Sequence, residues 1–133
     1  MAGVAPPDRT IGGGELHQIG AVAERVGLSL RTIRHYEDVG LVNPTGRSAG
    51  GFRLYTEADI DRLTMVKDMK PLGFTLSESH EVMEMLGSRR SGAASVDQLV
   101  RLGELAERAR AQCADQRDRL DRAEAVIEEL TWR

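Results

Sequence analysis

Cysteine, histidine and aromatic residues are scarce in this chain. The single cysteine among 133 residues, Cys113, excludes an intrachain disulfide and a multi-thiolate metal centre built by one chain alone. Its three histidines, His17, His35 and His80, fall in neither HxxxH nor HExxH spacing. Aromatics make up 4% of the residues, too few for a large core of stacked rings. No apolar run approaches the roughly 18–20 residues of a membrane span, and the N-terminus lacks a basic-then-apolar pattern. Nor is there a nucleophile–base–acid set, a phosphate-binding glycine loop or a pair of acids suited to catalysis. These absences lead us to expect a cytoplasmic protein that is not an enzyme, has no membrane partner, and uses neither metal nor cofactor.

What is present is unevenly distributed. The net charge is −3, yet between residues 25 and 55 Arg25, Arg31, Arg34, Arg47 and Arg53 face only Glu37 and Asp38. One cationic segment in an acidic chain suggests a localised contact with an anion, not a general coating of polyanions.

Residues 1–14, with two adjacent prolines and a glycine triplet, read as a flexible leader. From Leu16 the pattern changes: Ile19, Val22, Ala23 and Val26 form one stripe of a short helix, with Gly27 as its stop. Ser29 caps a second helix running to about Asp38, with Leu30, Ile33 and Tyr36 as its apolar face. Arg31, Thr32, Arg34 and His35 project mainly from its other faces. Two short helices joined by a glycine-containing turn form a helix-turn-helix, whose second helix suits a major groove. Residues 43–55 then read as a small hairpin, or wing, with Arg47 before its tip and Arg53 after it, placed to reach phosphates or a minor groove. Two further helices follow at about 57–70 and 76–86, opened by Thr56-x-x-Asp59 and Thr75-x-x-Glu78 capping boxes. Lys67 and Lys70 stand where the first of them ends, a position that suits cations. Residues 87–92 read as a linker, and the domain organisation expected is leader 1–14, DNA-binding domain 15–87, linker 88–94 and dimerisation helix 95–131.

That last helix carries Leu99, Leu102, Ala106, Ala109, Cys113, Gln116, Leu120, Ala123, Ile127 and Leu130 at alternating spacings of three and four. This is an unbroken heptad seam on a helix roughly 54 Å long at 1.5 Å per residue. The domain before it is too small to bury such a seam, which implies a partner helix. Run antiparallel, Leu99 meets Leu130, Leu102 meets Ile127, Ala106 meets Ala123, Ala109 meets Leu120 and Cys113 meets Gln116. A parallel pair would stack Gln116 on itself, which coiled coils also tolerate. Cys113, at a seam position, is expected to serve as a small buried apolar residue.

The strings IGAVAERVGLSLRTIRHYEDVGLV, RSAGGFRLYTEADIDRL and LGFTLSE, in this order and followed by a terminal coiled coil, resemble the MerR family of bacterial transcription regulators. The resemblance implies a mainly α protein: a winged helix-turn-helix domain dimerised through an antiparallel coiled coil. It also implies a homodimer on double-stranded promoter DNA, at a pseudo-palindrome within an over-long promoter spacer. Bending and untwisting that spacer would act on RNA polymerase through the DNA. By position, Arg31, Thr32, Arg34, His35 and Tyr36 match the family's recognition helix, Arg47, Gly51, Phe52 and Arg53 its wing, and Lys67 and Lys70 its second wing region. His35 departs from the aromatic residue usual there, and Tyr36 is also spaced to join the core. Arg34 and Arg53 have no obvious local carboxylate partner and are the leading candidates for DNA contact. The long helix begins around Ala93-Ala94-Ser95 without the cysteine of metal- and redox-sensing relatives, and their cysteine-bearing loop is not expected here. The competing readings are an architectural DNA-binding protein and a coiled-coil interaction protein.

Overall fold

The computed structural model describes residues 10–11 and 14–131. Of the expected leader, residues 1–9 and 12–13 lie outside the described residues. Its remainder is partly ordered: β1 (Thr10–Ile11) pairs antiparallel with β2 (Gly14–Glu15).

The first helix begins where its apolar stripe does, at Ile19. Leu16 is buried, but His17–Gln18 form a strand, β3, and only then does α1 (Ile19–Val26) start. Gly27 ends α1 with φ +82°, a left-handed conformation in which its N–H donates to the Ala23 carbonyl at 2.8 Å. After the turn, α2 (Leu30–Asp38) opens where the Ser29 hydroxyl accepts the Thr32 N–H at 3.0 Å. Ile33 and Tyr36 are buried, whereas Leu30, expected on the same apolar face, is exposed in the first turn.

The wing consists of β4 (Gly46–Arg47) and β5 (Arg53–Tyr55), antiparallel to each other. β5 also pairs with β3, His17 opposite Tyr55 and Gln18 opposite Leu54, giving a sheet of order β3-β5-β4. The hairpin is thereby anchored to the start of α1, because β3 runs directly into that helix.

Both expected capping boxes form. Thr56 and Asp59 open α3 (Glu57–Met69), and Thr75 and Glu78 open α4 (Leu76–Arg90). A 3-10 turn, Lys70–Leu72, joins them. α4 continues through Gly87, Ser88, Arg89 and Arg90, so most of the linker expected at 87–92 is helical and the break is confined to residues 91–95. Ser95 and Gln98 then exchange hydrogen bonds of 3.0 and 3.1 Å, a further capping box, and α5 (Val96–Thr131) runs for 36 residues.

A single core joins all five helices: Val22 and Val26 of α1, Ile33 and Tyr36 of α2, Ile60, Leu63, Val66 and Met69 of α3, Val82, Met83, Met85 and Leu86 of α4, and Leu105 of α5. Leu41, Val42 and Tyr55 close it beneath the wing. The helix-turn-helix and the hairpin are therefore set on one shared core.

Candidate nucleic-acid interface

The outer face of α2 presents Arg31, Arg34 and His35, all exposed. Thr32 is half-buried, its hydroxyl accepting from Ser29 Oγ at 2.9 Å, so it is fixed at the helix entrance. Tyr36, matched by resemblance to DNA contact, is only 2% exposed and its hydroxyl is buried. It is a core residue in this structure, as its spacing from Ile33 dictates, and is withdrawn from the contact set.

At the wing, the turn from Ser48 to Gly51 is closed by the Gly51 N–H on the Ser48 carbonyl at 2.9 Å and by the Phe52 N–H on Ser48 Oγ at 3.1 Å. Gly51 adopts φ +84°, a conformation that favours glycine, and its carbonyl accepts from Arg47 Nη1 at 3.1 Å. Phe52 stands 63% exposed beside it. Arg53, expected to lack a carboxylate partner, has one: it forms an ion pair with Glu37 of α2, a contact of charges without hydrogen-bond geometry. Glu37 precedes Arg53 by 16 residues, with the wing turn between them, so no local spacing rule could have joined them.

The two lysines divide. Lys70 is exposed at the end of α3. Lys67 is half-buried and its ammonium donates to the Val26 carbonyl at 2.7 Å. It caps the C-terminal end of α1, where a cation is favoured, and is committed to holding the helix-turn-helix on α3. A further element of that scaffold is Glu57, which accepts hydrogen bonds from Arg25 Nη1 and Nη2 at 2.7 Å each and pairs with His17 Nε2 at 2.8 Å. The Arg25 guanidinium, with His17 beside it, holds the Glu57 carboxyl at about 2.

Among the described residues, the ion pairs engage Arg25, Arg53, Arg62, Arg101, Arg108, Arg110 and Arg119, and none engages Arg31, Arg34 or Arg47. The cations without a carboxylate thus include those of the recognition helix and the wing tip. No group of three His, Cys, Asp or Glu that could hold a metal occurs among the described residues, and no helix is long and apolar enough to cross a membrane.

On α5, Leu99, Ala106, Leu120, Ala123, Ile127 and Leu130 of the heptad seam are exposed. The other four seam positions are not free in this way. Leu102 packs on the core, Gln116 donates to the Pro71 carbonyl of its own chain, and Ala109 and Cys113 between them are half-buried. Leu105, which the seam omits, is the buried residue of this helix. The preceding domain therefore touches one side of the seam's first half but buries none of its ten positions, in line with the expectation that it is too small to cover the seam.

A family model described as "MerR HTH family regulatory protein" matches residues 18–86. The HTH-type transcriptional activator mta of Bacillus subtilis is 40% identical over 68 residues, a stretch covering 51% of this chain and 26% of the activator. An uncharacterized HTH-type transcriptional regulator of Pseudomonas aeruginosa is 37% identical over 81 residues, 61% of each chain. The match thus spans less than two thirds of either relative. Among solved structures, HiNmlR, a MerR family regulator lacking the sensor domain and bound to promoter DNA, superposes with a TM-score of 0.63 at 23% identity, covering 84% of this chain and 87% of that one. At that identity the likeness concerns the fold.

Proposed function

We propose, from the premise that the chain belongs to the MerR family of helix-turn-helix transcription regulators, that it works as a homodimer on a pseudo-palindromic operator in a promoter spacer and distorts that DNA. The observation that carries this reading is the charge layout. Arg31 and Arg34 on α2 and Arg47 near the wing tip lack carboxylates, whereas Arg25, Arg53, Arg62, Arg101 and Arg108 each pair with a carboxylate on another element. Unpaired cations on a helix that fits a major groove, beside a hairpin that reaches the backbone, suit phosphate positioning flanking base contacts. Arg31, Thr32, Arg34, His35, Arg47, Gly51, Phe52 and Lys70 form the proposed contact set. Residues 15–87 form the proposed DNA-binding domain and 95–131 the dimerisation helix.

Dimerisation is supported by the far half of α5, where Leu120, Ile127 and Leu130 stand exposed with no intrachain cover. An antiparallel pair would seat Leu130 on Leu99 and Ile127 on Leu102 of the second copy, and carry two recognition helices related by a dyad. Such a dimer binds two half-sites at once, so it can bend and untwist the base pairs between them without touching those bases. RNA polymerase would be influenced through the DNA, in the bacterial cytoplasm.

The test is selection of genomic fragments by the purified chain, followed by footprinting. Protection of a pseudo-palindrome inside an over-long promoter spacer, with enhanced cleavage at its centre, is expected. Failure of a folded, dimeric protein to enrich any fragment would reject the reading in favour of an interaction protein. Arg34→Ala is expected to weaken binding across all sequences and to reduce the salt slope by about 0.9, one phosphate contact. An unchanged slope in titrations would remove Arg34 from the contact set.

A further inference from the structure

Glu37 stands in the last turn of α2, where the negative end of the helix dipole disfavours a carboxylate. Its side chain is only 12% exposed, and a carboxylate withdrawn from water needs a cation or hydrogen-bond donors nearby. The cation is Arg53 of β5, so the residue makes sense only in relation to the wing. Arg53 in turn lies directly across the β4–β5 ladder from Arg47, and like charges facing each other destabilise a ladder. The two guanidinium groups have separate partners: Arg47 donates to the Gly51 carbonyl near the tip, and Arg53 faces Glu37. Tyr55 adds a second sign that this junction is closed. Its hydroxyl is buried, burial and the Glu37 carboxylate push its phenol up, and Arg53 draws it back down. The wing thus meets the end of the recognition helix through one ion pair set beside two buried tyrosines, Tyr36 and Tyr55.

We propose that Glu37 is a positioning residue for DNA recognition: by holding Arg53 it fastens the wing to the recognition helix and withholds that guanidinium from phosphates. The proposal rests on the DNA-binding reading above. An arginine free to take a phosphate adds affinity for any sequence, because counterions leave whatever duplex it meets. An arginine held by Glu37 adds none, but it limits the angles at which helix and wing address the groove together. Neutralising Glu37 should therefore raise sequence-independent binding and erode discrimination, the opposite of what losing a DNA contact does.

The experiment uses the full chain with two probes, a random-sequence duplex and the duplex recovered by genomic selection. For Glu37→Gln, the slope of log K against log salt on the random duplex is expected to steepen by about 0.9, roughly a threefold greater loss of affinity between about 50 and 200 mM salt. The ratio of selected-duplex to random-duplex affinity should fall. Glu37→Asp, which keeps the charge, should restore the wild-type slope. A purely structural Glu37 would lower thermal stability and leave the slope alone. Arg53→Gln gives an independent measurement, decisive even where Glu37→Gln does not fold: its slope should equal the wild-type slope while the affinity ratio falls. A slope flattened by about 0.9 in Arg53→Gln would overturn the proposal, since Arg53 would then be a phosphate contact. So would a folded Glu37→Gln protein with wild-type slope and ratio. Wild-type protein that binds neither duplex would retract the DNA-binding reading along with this one, whereas wild-type binding with an unaltered Glu37→Gln retracts this one alone.

Discussion

The two halves of α5 share one heptad period and are covered differently. From Gln98 to Gln116 the helix rests on its own domain. Leu105 is 2% exposed there, Arg101 meets Glu81 at 2.8 Å, and Arg108 donates twice to Glu78 at 2.7 Å while its guanidinium lies 5.3 Å from the Phe74 ring centroid. From Arg117 to Thr131 every residue is exposed, and Leu130 reaches 78%. The difference lies in residues off the seam. In the near half, Arg101, Leu105 and Arg108 add a second contact face one side round from the seam. In the far half no ion pair reaches another element among the described residues. A heptad states that a helix has an apolar stripe; its neighbours determine what covers it.

The largest expected effect tests the buried side of that contrast. Leu105→Ala should destabilise the chain by about 2–5 kcal/mol, the usual range for emptying a buried leucine site. Leu120→Ala, measured at dilutions where the chain is monomeric, should stay within about 0.5 kcal/mol. Urea midpoints of the two variants give the comparison, and equal losses would break it. The next effect sharpens the exposed side. Leu130→Asp places a charge in the proposed dimer seam and should weaken self-association at least tenfold, about 1.4 kcal/mol, while the thermal transition of the DNA-binding domain stays in place. Sedimentation equilibrium reads the first quantity and calorimetry the second. A dimer as tight as wild type would mean that the far half of α5 is not the interface.

The smallest effect concerns pH. Arg108, together with the Thr75 backbone N–H, holds the Glu78 carboxyl at about 2, against an ordinary 4.5. Between these values the unfolded chain binds a proton that the folded chain refuses, so the contribution of this pair is present above about pH 4.5 and is lost as pH falls towards 2. Amides in the near half of α5 should lose hydrogen-exchange protection within this window. In Arg108→Ala the loss should begin at higher pH, because Glu78 loses its principal partner. An identical onset in both proteins would show that Glu78 does not fasten the helix.

The local architecture was largely legible in the sequence. Ser29, the Thr56–Asp59 and Thr75–Glu78 boxes, and Gly27 each act within a turn of their own position, so a pattern of a few residues identifies them. The same holds for the exposed arginines of α2, since a helix of known start places Arg31 and Arg34 opposite Ile33 and Tyr36. The errors arose where two readings competed locally. Gly87 and the charged Ser88-Arg89-Arg90 suggested a linker, but α4 continues past Gly87 as far as Arg90. Tyr36 matched a contact position by resemblance, and burial against the core decided otherwise.

By itself, then, the sequence determined the helices, their caps, the wing and the existence of a long apolar seam, because those features depend on hydrogen bonds and periodicities that span one turn or one hairpin. Only the tertiary structure decided which cations remain without a carboxylate. Lys67 reaches the Val26 carbonyl across 41 residues and Arg108 reaches Glu78 across 30. Arg53 meets Glu37 only because β5 is laid beside the end of α2. Charges carry no sequence period, and a long side chain takes whichever partner the packed core brings within reach. Arg25, Arg53 and Lys67 are accordingly engaged by partners far away in the chain, and Arg31, Arg34 and Arg47 are left without a carboxylate.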